Sequence, residues 1–261
     1  MGETYDPTFS LPRILCLHGG GTNASIFKIQ CRKIAEDLKG EYRLVYVEAP
    51  FPSEAGPDVM QVFAKAGPFK RWLRFGPAHP AITAQKAVTR LDQAIEAAMA
   101  DDDDRGGCGA WTGLLGFSQG AKMCASLLYR QQNRATDAAT VAADRASPFR
   151  FGVLIAGRGP IVSLEPERVA NESLPSAADF SSTKENGPNR MHVLRMPTIH
   201  MHGLKDPGLE EHRKLYNEYC DPETRSLIEW DAGHRLPVRP DDVAPLVKEI
   251  RRVALETATN K

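Results

Sequence analysis

The sequence has few cysteines, and they show none of the spacings that bind metals or build a disulfide framework. It contains no CxxC pair and no cluster of cysteine with histidine. These absences argue against a zinc site and against disulfide bonds, and they favour a reducing intracellular compartment. We therefore expect no metal, no cofactor and a cytoplasmic location. The five cysteines are Cys16, Cys31, Cys108, Cys124 and Cys220.

The sequence also lacks an excess of charge of one sign and any long apolar run. Lys plus Arg and Asp plus Glu both number 33, so we expect no nucleic-acid partner. No segment approaches the run of about 18 apolar residues that spans a bilayer, and polar residues 1–10 do not resemble a signal peptide. We therefore expect no membrane partner. The longest single-sign run is the four aspartates of residues 101–104, which we expect to form a solvated loop because neighbouring like charges repel.

Short apolar runs alternate with longer amphipathic segments, and this pattern favours an α/β fold. We predict a mostly parallel central sheet with helices on both faces. Residues 1–261 are expected to form a single domain, with irregular lid insertions at about 51–80 and 157–190. The predicted strands cover residues 13–17, 43–47, 110–117, 149–156, 198–202 and 225–230, and the clearest predicted helices cover 121–130 and 209–219.

Residues 116–120 form a GxSxG motif, Gly-Phe-Ser-Gln-Gly, between a predicted strand and a predicted helix. A serine hydroxyl becomes an effective nucleophile when a base removes its proton and a sharp turn exposes its oxygen. Gly116 and Gly120 suit such a turn because it leaves no room for a Cβ atom. Chance supplies the motif in roughly one chain in ten of this length, so its position carries the inference. This position between a strand and a helix makes Ser118 the candidate nucleophile of an α/β-hydrolase fold, rather than an incidental serine in a tight turn.

Residues 18–21, His-Gly-Gly-Gly, follow the first predicted strand and are candidates for an oxyanion hole. Backbone N–H groups directed at a developing oxyanion stabilise acyl transfer. One donor is expected to be the amide of Gln119, directly after the nucleophile. For the second donor we expect Gly20, with Gly21 as the alternative.

His234 is the strongest candidate for the general base, because it follows the strand at residues 225–230 by a short loop. His18 is expected instead to order the glycine-rich turn by hydrogen bonding. His200 and His202 alternate on one strand and face the same side of the sheet. A metal site is one interpretation of that pair, but packing or a hydrogen bond at the strand end is favoured.

A carboxylate is needed to orient the base and stabilise its charged form. Asp206 lies just after a strand and is the first choice. Asp221 follows a helix, and Asp231 is close in sequence to His234, so both are weaker candidates. The resulting order of Ser118, Asp206 and His234 is that of α/β hydrolases.

Together these motifs resemble the fungal "family of serine hydrolases" (FSH). The resemblance implies an α/β-hydrolase fold and a triad of Ser118, Asp206 and His234. It also implies a small esterase or a stand-alone thioesterase that releases a polyketide from its synthase, as in the lovastatin pathway. The segments that carry it are residues 17–19 (LHG), 116–121 (GFSQGA), 203–207 (GLKDP) and 233–237 (GHRLP).

The chain departs from the family pattern at three places. After His-Gly this chain has Gly20 and Gly21, where the family often has a bulky residue. The backbone that supplies the second oxyanion donor is therefore expected to differ. Gly208 replaces a small β-branched residue after Pro207, so the turn that holds Asp206 is expected to differ. Residues 134–147 and the segment after 157 are long, and they are expected to alter the cover over the site.

The function expected from these residues is acyl transfer from an ester or thioester. In some cases the acyl group would be carried on an acyl carrier domain. Water would release the acyl group by hydrolysis, or an internal hydroxyl would release it by lactonisation. Short-chain carboxylesterase activity, peptidase activity and a non-catalytic binding role are the alternatives. The aromatic residues of the first insertion either line a pocket for a bulky acyl chain or pack on the sheet: Phe63, Phe69, Trp72 and Phe75.

Overall fold

A six-stranded parallel sheet organises the chain. The structure is a computed structural model and describes residues 6–135, 149–168, 174–179 and 192–259. The strand order is β2-β1-β5-β6-β7-β8, and every neighbouring pair is parallel. The strands are β1 (Arg13–Leu17), β2 (Arg43–Val47), β5 (Trp111–Phe117), β6 (Phe151–Ile155), β7 (Thr198–Gly203) and β8 (Arg225–Trp230), and β3 (Phe51–Ser53) pairs with β4 (Phe69–Arg71) in a separate antiparallel hairpin.

Helices connect these strands, and local capping explains where two of them begin. The Asn23 side chain accepts a hydrogen bond from Ile26 N–H at 2.9 Å, and the Thr83 side chain caps the next long helix in the same way. The helices are α1 (Ala24–Gln30), α2 (Arg32–Asp37), α3 (Pro57–Phe63), α4 (Ala84–Asp104), α5 (Gln119–Ala135), α6 (Leu209–Tyr219) and α7 (Pro240–Thr259).

The sheet is buried on both faces, as predicted. Successive residues of β1 point to opposite sides, so Leu15 and Leu17 lie in one apolar core while Ile14 and Cys16 lie in the other. Helices α4 and α5 pack in the first core, and α1, α2 and α7 pack in the second. Strands β1, β6 and β7 are therefore buried along their whole length, and most residues of the central strands are apolar.

The six predicted strands of the sheet are all present, with bounds within two residues of those expected. The first insertion is more regular than expected, because it contains β3, α3 and β4. Only residues 157–168 and 174–179 of the second insertion lie within the described residues. The single-domain organisation and the cytoplasmic location stay predictions. In the described ranges, no helix is both long enough and apolar enough to cross a membrane.

The expectation of a solvated loop at residues 101–104 is wrong. These residues form the last turn of α4, and Asp102 is only 4% exposed. Its carboxylate pairs with Arg13 at 3.1 Å and with Arg43 at 2.7 Å. The two arginines extend from adjacent strands, so their buried charges require a carboxylate at this edge of the sheet. Asp102 supplies it to both arginines, and its neighbour Asp103 also pairs with Arg13.

Candidate active site

Ser118 occupies a sharp turn between β5 and α5. Its backbone has a φ of +54°, a left-handed conformation that residues with side chains rarely adopt. A Cβ atom at Gly116 would lie 2.4 Å from Gly120 O, and one at Gly120 would lie 2.0 Å from Leu17 O. Neither distance is tolerable, so both glycines of the motif are required by close backbone packing. The turn places Ser118 in the wall of a cavity.

Three loops at the carboxyl end of the sheet bring Ser118, His234 and Asp206 together. His234 Nε2 lies 3.0 Å from Ser118 Oγ, and His234 Nδ1 lies 2.7 Å from Asp206 Oδ2. Asp206 follows β7, and His234 follows β8, the next strand in the sheet. Because both strands are parallel, their carboxyl ends meet at the edge where Ser118 follows β5.

The Asp206 carboxylate is held in its ionised form although it is buried. Burial alone would raise its pKa, but a hydrogen bond from Gly208 N–H and one with His234 lower the pKa below the ordinary value. The Gly208 bond measures 2.8 Å and occupies Oδ1, which leaves Oδ2 to face His234. The ring of Phe117 also contacts the imidazole of His234, with 4.9 Å between ring centres.

The backbone amides beside Ser118 distinguish between the two glycines considered for the oxyanion hole. Gly21 N–H donates to Lys70 O at 2.9 Å, so its hydrogen is already used. No described residue accepts a hydrogen bond from Gly20 N–H. The Gly20 backbone lies beside Gln119, whose own amide is the first of α5 and therefore has no acceptor within the helix. The amides of Gly20 and Gln119 thus have no acceptor among the described residues and are available to donate near Ser118.

His18 is fully buried beneath this turn and makes the kind of ordering contacts expected of it. Its Nε2 accepts a hydrogen bond from Ala49 N–H at 3.1 Å, and its Nδ1 lies 2.6 Å from Gly19 O. Trp72 Nε1 donates to His18 O at 2.7 Å. The glycine-rich turn is therefore tied both to the strand beside it and to the first insertion.

The other carboxylates weighed for the site lie elsewhere. Asp231 forms an exposed ion pair with Lys205 at 2.6 Å. Asp221 accepts a hydrogen bond from Glu223 N–H in the turn after α6. Neither is hydrogen-bonded to His234, whose Nδ1 faces Asp206.

A buried histidine that the sequence analysis did not single out lies behind Asp206. His212 Nε2 is 3.7 Å from Asp206 Oδ2, and neither ring nitrogen of His212 has a hydrogen-bond partner among the described residues. Burial lowers its pKa to about 4, so the ring is neutral near pH 7. In the sequence, only its position on α6, one turn after the Asp206 loop, indicates that His212 lies near the site.

His200 and His202 pack behind this histidine rather than beside Ser118. Their ring centres lie 5.8 Å apart, and His202 lies 5.5 Å from His212. His200 Nε2 lies 3.1 Å from Thr198 Oγ1, in keeping with the favoured interpretation. Within the described ranges, the one set with metal-ligand spacing is Asp206, His212 and His234, whose ligand atoms lie within 4.8 Å of each other. A cation bound there would break the hydrogen bond between His234 Nδ1 and Asp206 Oδ2, which orients His234.

The cavity in front of Ser118 has a volume of about 710 Å³. Its wall includes apolar side chains from the first insertion, and Phe63 and Phe75 are among them. Trp72 is instead fully buried in the core, and Phe69 does not line the cavity. Phe63 and Phe75 therefore line the cavity while Trp72 packs in the core, and that the cavity accepts a bulky acyl chain stays a prediction.

A parallel sheet with a serine, a histidine and an aspartate at the carboxyl ends of its strands defines the α/β hydrolases as a class. The comparison with protein families then specifies the group: residues 8–246 match the family described as "Serine hydrolase (FSH1)". The chain therefore belongs to this serine hydrolase family, and the resemblance found in its motifs is confirmed.

Curated relatives that align over nearly the whole chain are named esterases. "Esterase citA" of Monascus ruber is 50% identical over 255 residues, covering 98% of this chain and 97% of its own length. "Probable esterase tazC" of Aspergillus terreus is 50% identical over 256 residues, covering 97% and 96%. The protein is accordingly a hydrolase of the esterase type.

Solved structures agree on the fold at low sequence identity. The carboxylesterase of Bacillus cereus superposes with a TM-score of 0.52 at 16% identity, covering 93% of this chain and 89% of that one. The protein RedJ superposes with a TM-score of 0.51 at 18% identity, covering 95% and 93%. The predicted α/β-hydrolase fold is confirmed.

Proposed function

We propose that Ser118, His234 and Asp206 form a catalytic triad that transfers acyl groups from esters or thioesters through an acyl-enzyme. The observation that carries this proposal is the position of His234, whose two ring nitrogens lie 3.0 Å from Ser118 Oγ and 2.7 Å from Asp206 Oδ2. This arrangement suits a base that removes a proton from serine and is stabilised in its charged form by a carboxylate.

In the first half of the reaction, His234 Nε2 takes the proton of Ser118 Oγ as that oxygen attacks the carbonyl carbon. The carbonyl oxygen becomes an oxyanion that accepts hydrogen bonds from Gln119 N–H and Gly20 N–H. The bond to the leaving alcohol or thiol then breaks, and the leaving group receives the proton from His234. Ser118 is left as an acyl ester.

In the second half, water or a hydroxyl of the acyl chain attacks this ester. His234 accepts its proton and returns one to Ser118 Oγ. Water releases a carboxylic acid, whereas an internal hydroxyl releases a lactone. Both outcomes use the same residues, so the nucleophile that reaches the ester decides the product.

The cavity supports a sizeable acyl chain. Its volume of about 710 Å³ falls within the usual range for small-molecule sites, roughly 300–1,000 Å³. Helix α3 supplies Val59, Val62 and Phe63 to its wall, so apolar atoms of a substrate would be removed from water there. A polyketide or a similar acyl chain, free or carried on an acyl carrier domain, is the substrate that fits the family resemblance best.

Mass spectrometry of the intact protein tests this function. We expect an acyl adduct on the wild-type protein after incubation with a panel of esters and thioesters of increasing chain length. The adduct should be absent from Ser118→Ala and present in Ser10→Ala, a control at an exposed serine. Absence of an adduct and of fluorophosphonate labelling in the wild type would indicate a non-catalytic binding protein.

The same panel tests the short-chain alternative and the mode of release. Reaction with the shortest acyl groups alone would indicate a short-chain carboxylesterase. A substrate with a terminal hydroxyl separates the two release modes, because the lactone is lighter than the free acid by one water.

A further inference from the structure

The cavity that contains Ser118 carries two cationic side chains that the reaction described above does not use. Lys122 and Arg158 line the same cavity as Ser118 and His234. Lys122 lies one helical turn after the nucleophile, and its N–H donates to Ser118 O at 3.2 Å. Arg158 follows β6, the strand beside the one that ends at Ser118. Both side chains therefore come from elements adjacent to the nucleophile.

Neither cation is neutralised by an ion pair within the described part of the chain. Lys122 Nζ has a long hydrogen bond of 3.5 Å to Gly159 O, and Arg158 has no hydrogen bond to a described residue. Burial lowers the pKa of Lys122 to about 8, and Arg158 and Lys214 act in the same direction against Glu211. The ammonium group thus stays mostly protonated at pH 7. Lys122 is partly buried, whereas Arg158 is exposed. An anion bound beside Lys122 would compensate the cost of partly burying its charge.

The side chain of Arg158 lies against Gly208. A Cβ atom at this position would lie 2.7 Å from Arg158 Nη2 and 2.8 Å from its Nε. The guanidinium group therefore rests against the backbone of the loop that holds Asp206. Position 208 is one of the places where this chain departs from its family pattern, and a side chain there would have to displace the guanidinium group from its present position.

Other charges along the cavity do not cancel these two. Arg235 and Arg74 add positive charge, whereas the two carboxylates of the wall belong to the insertions. Asp58 lies in the first turn of α3, and Asp179 accepts a hydrogen bond from Ser176 N–H. Around the nucleophile itself, the wall residues from α5 and from the end of β6 carry only positive charge.

We propose that Lys122 and Arg158 form an anion subsite beside Ser118, which selects substrates that carry a carboxylate or phosphate group. This inference rests on the proposed function. A guanidinium presents paired N–H donors to two oxygens of such a group, and an ammonium adds a third charged donor. The anion has two sources, a carboxylate on the acyl chain or the phosphate of a pantetheine carrier arm.

Matched substrate pairs test the subsite and distinguish the two sources. Nitrophenyl hemiglutarate is compared with its neutral methyl ester, and valeryl-phosphopantetheine is compared with valeryl-pantetheine. For the wild type we expect kcat/KM to favour the charged member of at least one pair by about tenfold or more. The pair that shows the preference identifies where the anion is carried.

Substitutions assign the preference to these residues. Arg158→Gln and Lys122→Gln should each lower the charged-to-neutral ratio by about tenfold, and Arg158→Lys should restore part of it. Arg90→Gln, at an exposed position of α4, should leave the ratio unchanged. Because each measurement is a ratio on one protein sample, a change in the folded fraction cancels.

Two results would overturn the subsite: a wild-type ratio near one for both pairs, or a ratio that all of these substitutions leave unchanged. Failure of the proposed function looks different, because the neutral substrates would then also fail to react and to form an adduct on Ser118.

Discussion

Gln119 and Leu73 are joined by two hydrogen bonds: Leu73 N–H donates to Gln119 Oε1 at 3.2 Å, and Gln119 Nε2 donates to Leu73 O at 3.0 Å. Trp72 N–H donates to the same oxygen at 2.7 Å. The residue directly after the nucleophile therefore holds the first insertion against the site. Its main chain is proposed to serve the oxyanion while its side chain positions the cavity wall.

Gln119→Ala removes all three of these hydrogen bonds. We expect the free energy of unfolding to fall by about 1–3 kcal/mol, because the partner groups of the insertion lose their side-chain acceptor and donor. Urea denaturation measures this change. Gln93→Ala, at an exposed position of α4, is the control and should unfold like the wild type. Equal stability of both variants would mean that the insertion is held by other contacts.

Asp206→Asn tests the acid of the proposed triad. Asparagine cannot stabilise an imidazolium, so we expect kcat on a nitrophenyl ester to fall by roughly 10⁴-fold. Asp231→Asn changes the same residue type on the His234 loop and should retain activity within about twofold. If both variants keep their activity, Asp206 is not the partner of the base.

Gly120→Ala tests the backbone packing of the nucleophile turn. The added Cβ atom would lie 2.0 Å from Leu17 O. We expect destabilisation by at least about 1–3 kcal/mol, which exceeds the gain of about 1 kcal/mol that alanine usually brings to a helix. Gly76→Ala is the control, since nothing lies within 4 Å of its Cβ position. Thermal unfolding of the two variants should therefore differ, and coincident curves would refute this account.

Asp102→Asn tests the buried ion pairs at the opposite edge of the sheet. Loss of the buried carboxylate removes one ion pair from each arginine, while Arg13 keeps its pair with Asp103 and Arg43 its pair with Asp6. We therefore expect the free energy of unfolding to fall by about 1–3 kcal/mol. Asp104→Asn, in the same acidic run but exposed, should change stability by no more than about 0.5 kcal/mol. Chemical denaturation distinguishes these outcomes. Similar small effects would support the solvated loop expected from the sequence.

The buried histidines predict how stability depends on pH. Burial lowers the pKa of His202 and of His212 from 6.5 to about 4. Between these values the unfolded chain binds more protons than the folded one, so the free energy of unfolding should decrease as the pH falls from about 6.5 to 4. Urea titrations at several pH values measure the slope. His202→Asn should flatten it, and a slope identical to that of the wild type would contradict the assignment.

Much of the fold and the arrangement of the candidate triad followed from local patterns. The strands were recognisable because most residues of a parallel strand that is covered on both faces are apolar. Asp206 and His234 stood out because each lies in a short loop after a strand, and the carboxyl ends of parallel strands share one edge of the sheet. Short stretches of sequence contain this information, and the distances of 2.7 and 3.0 Å at His234 agree with it.

Other features depended on contacts between distant parts of the chain. Asp102 looks like its three neighbours in the acidic run, and only the packing of α4 against β1 and β2 buries it beside two arginines. In the same way, no local pattern joins Gln119 to Leu73 or seats Arg158 against Gly208. The sequence by itself therefore determined the order of the elements and the chemistry at their ends. The tertiary structure decided which charges are buried and which amides are free, because these depend on neighbours that lie far away in the chain.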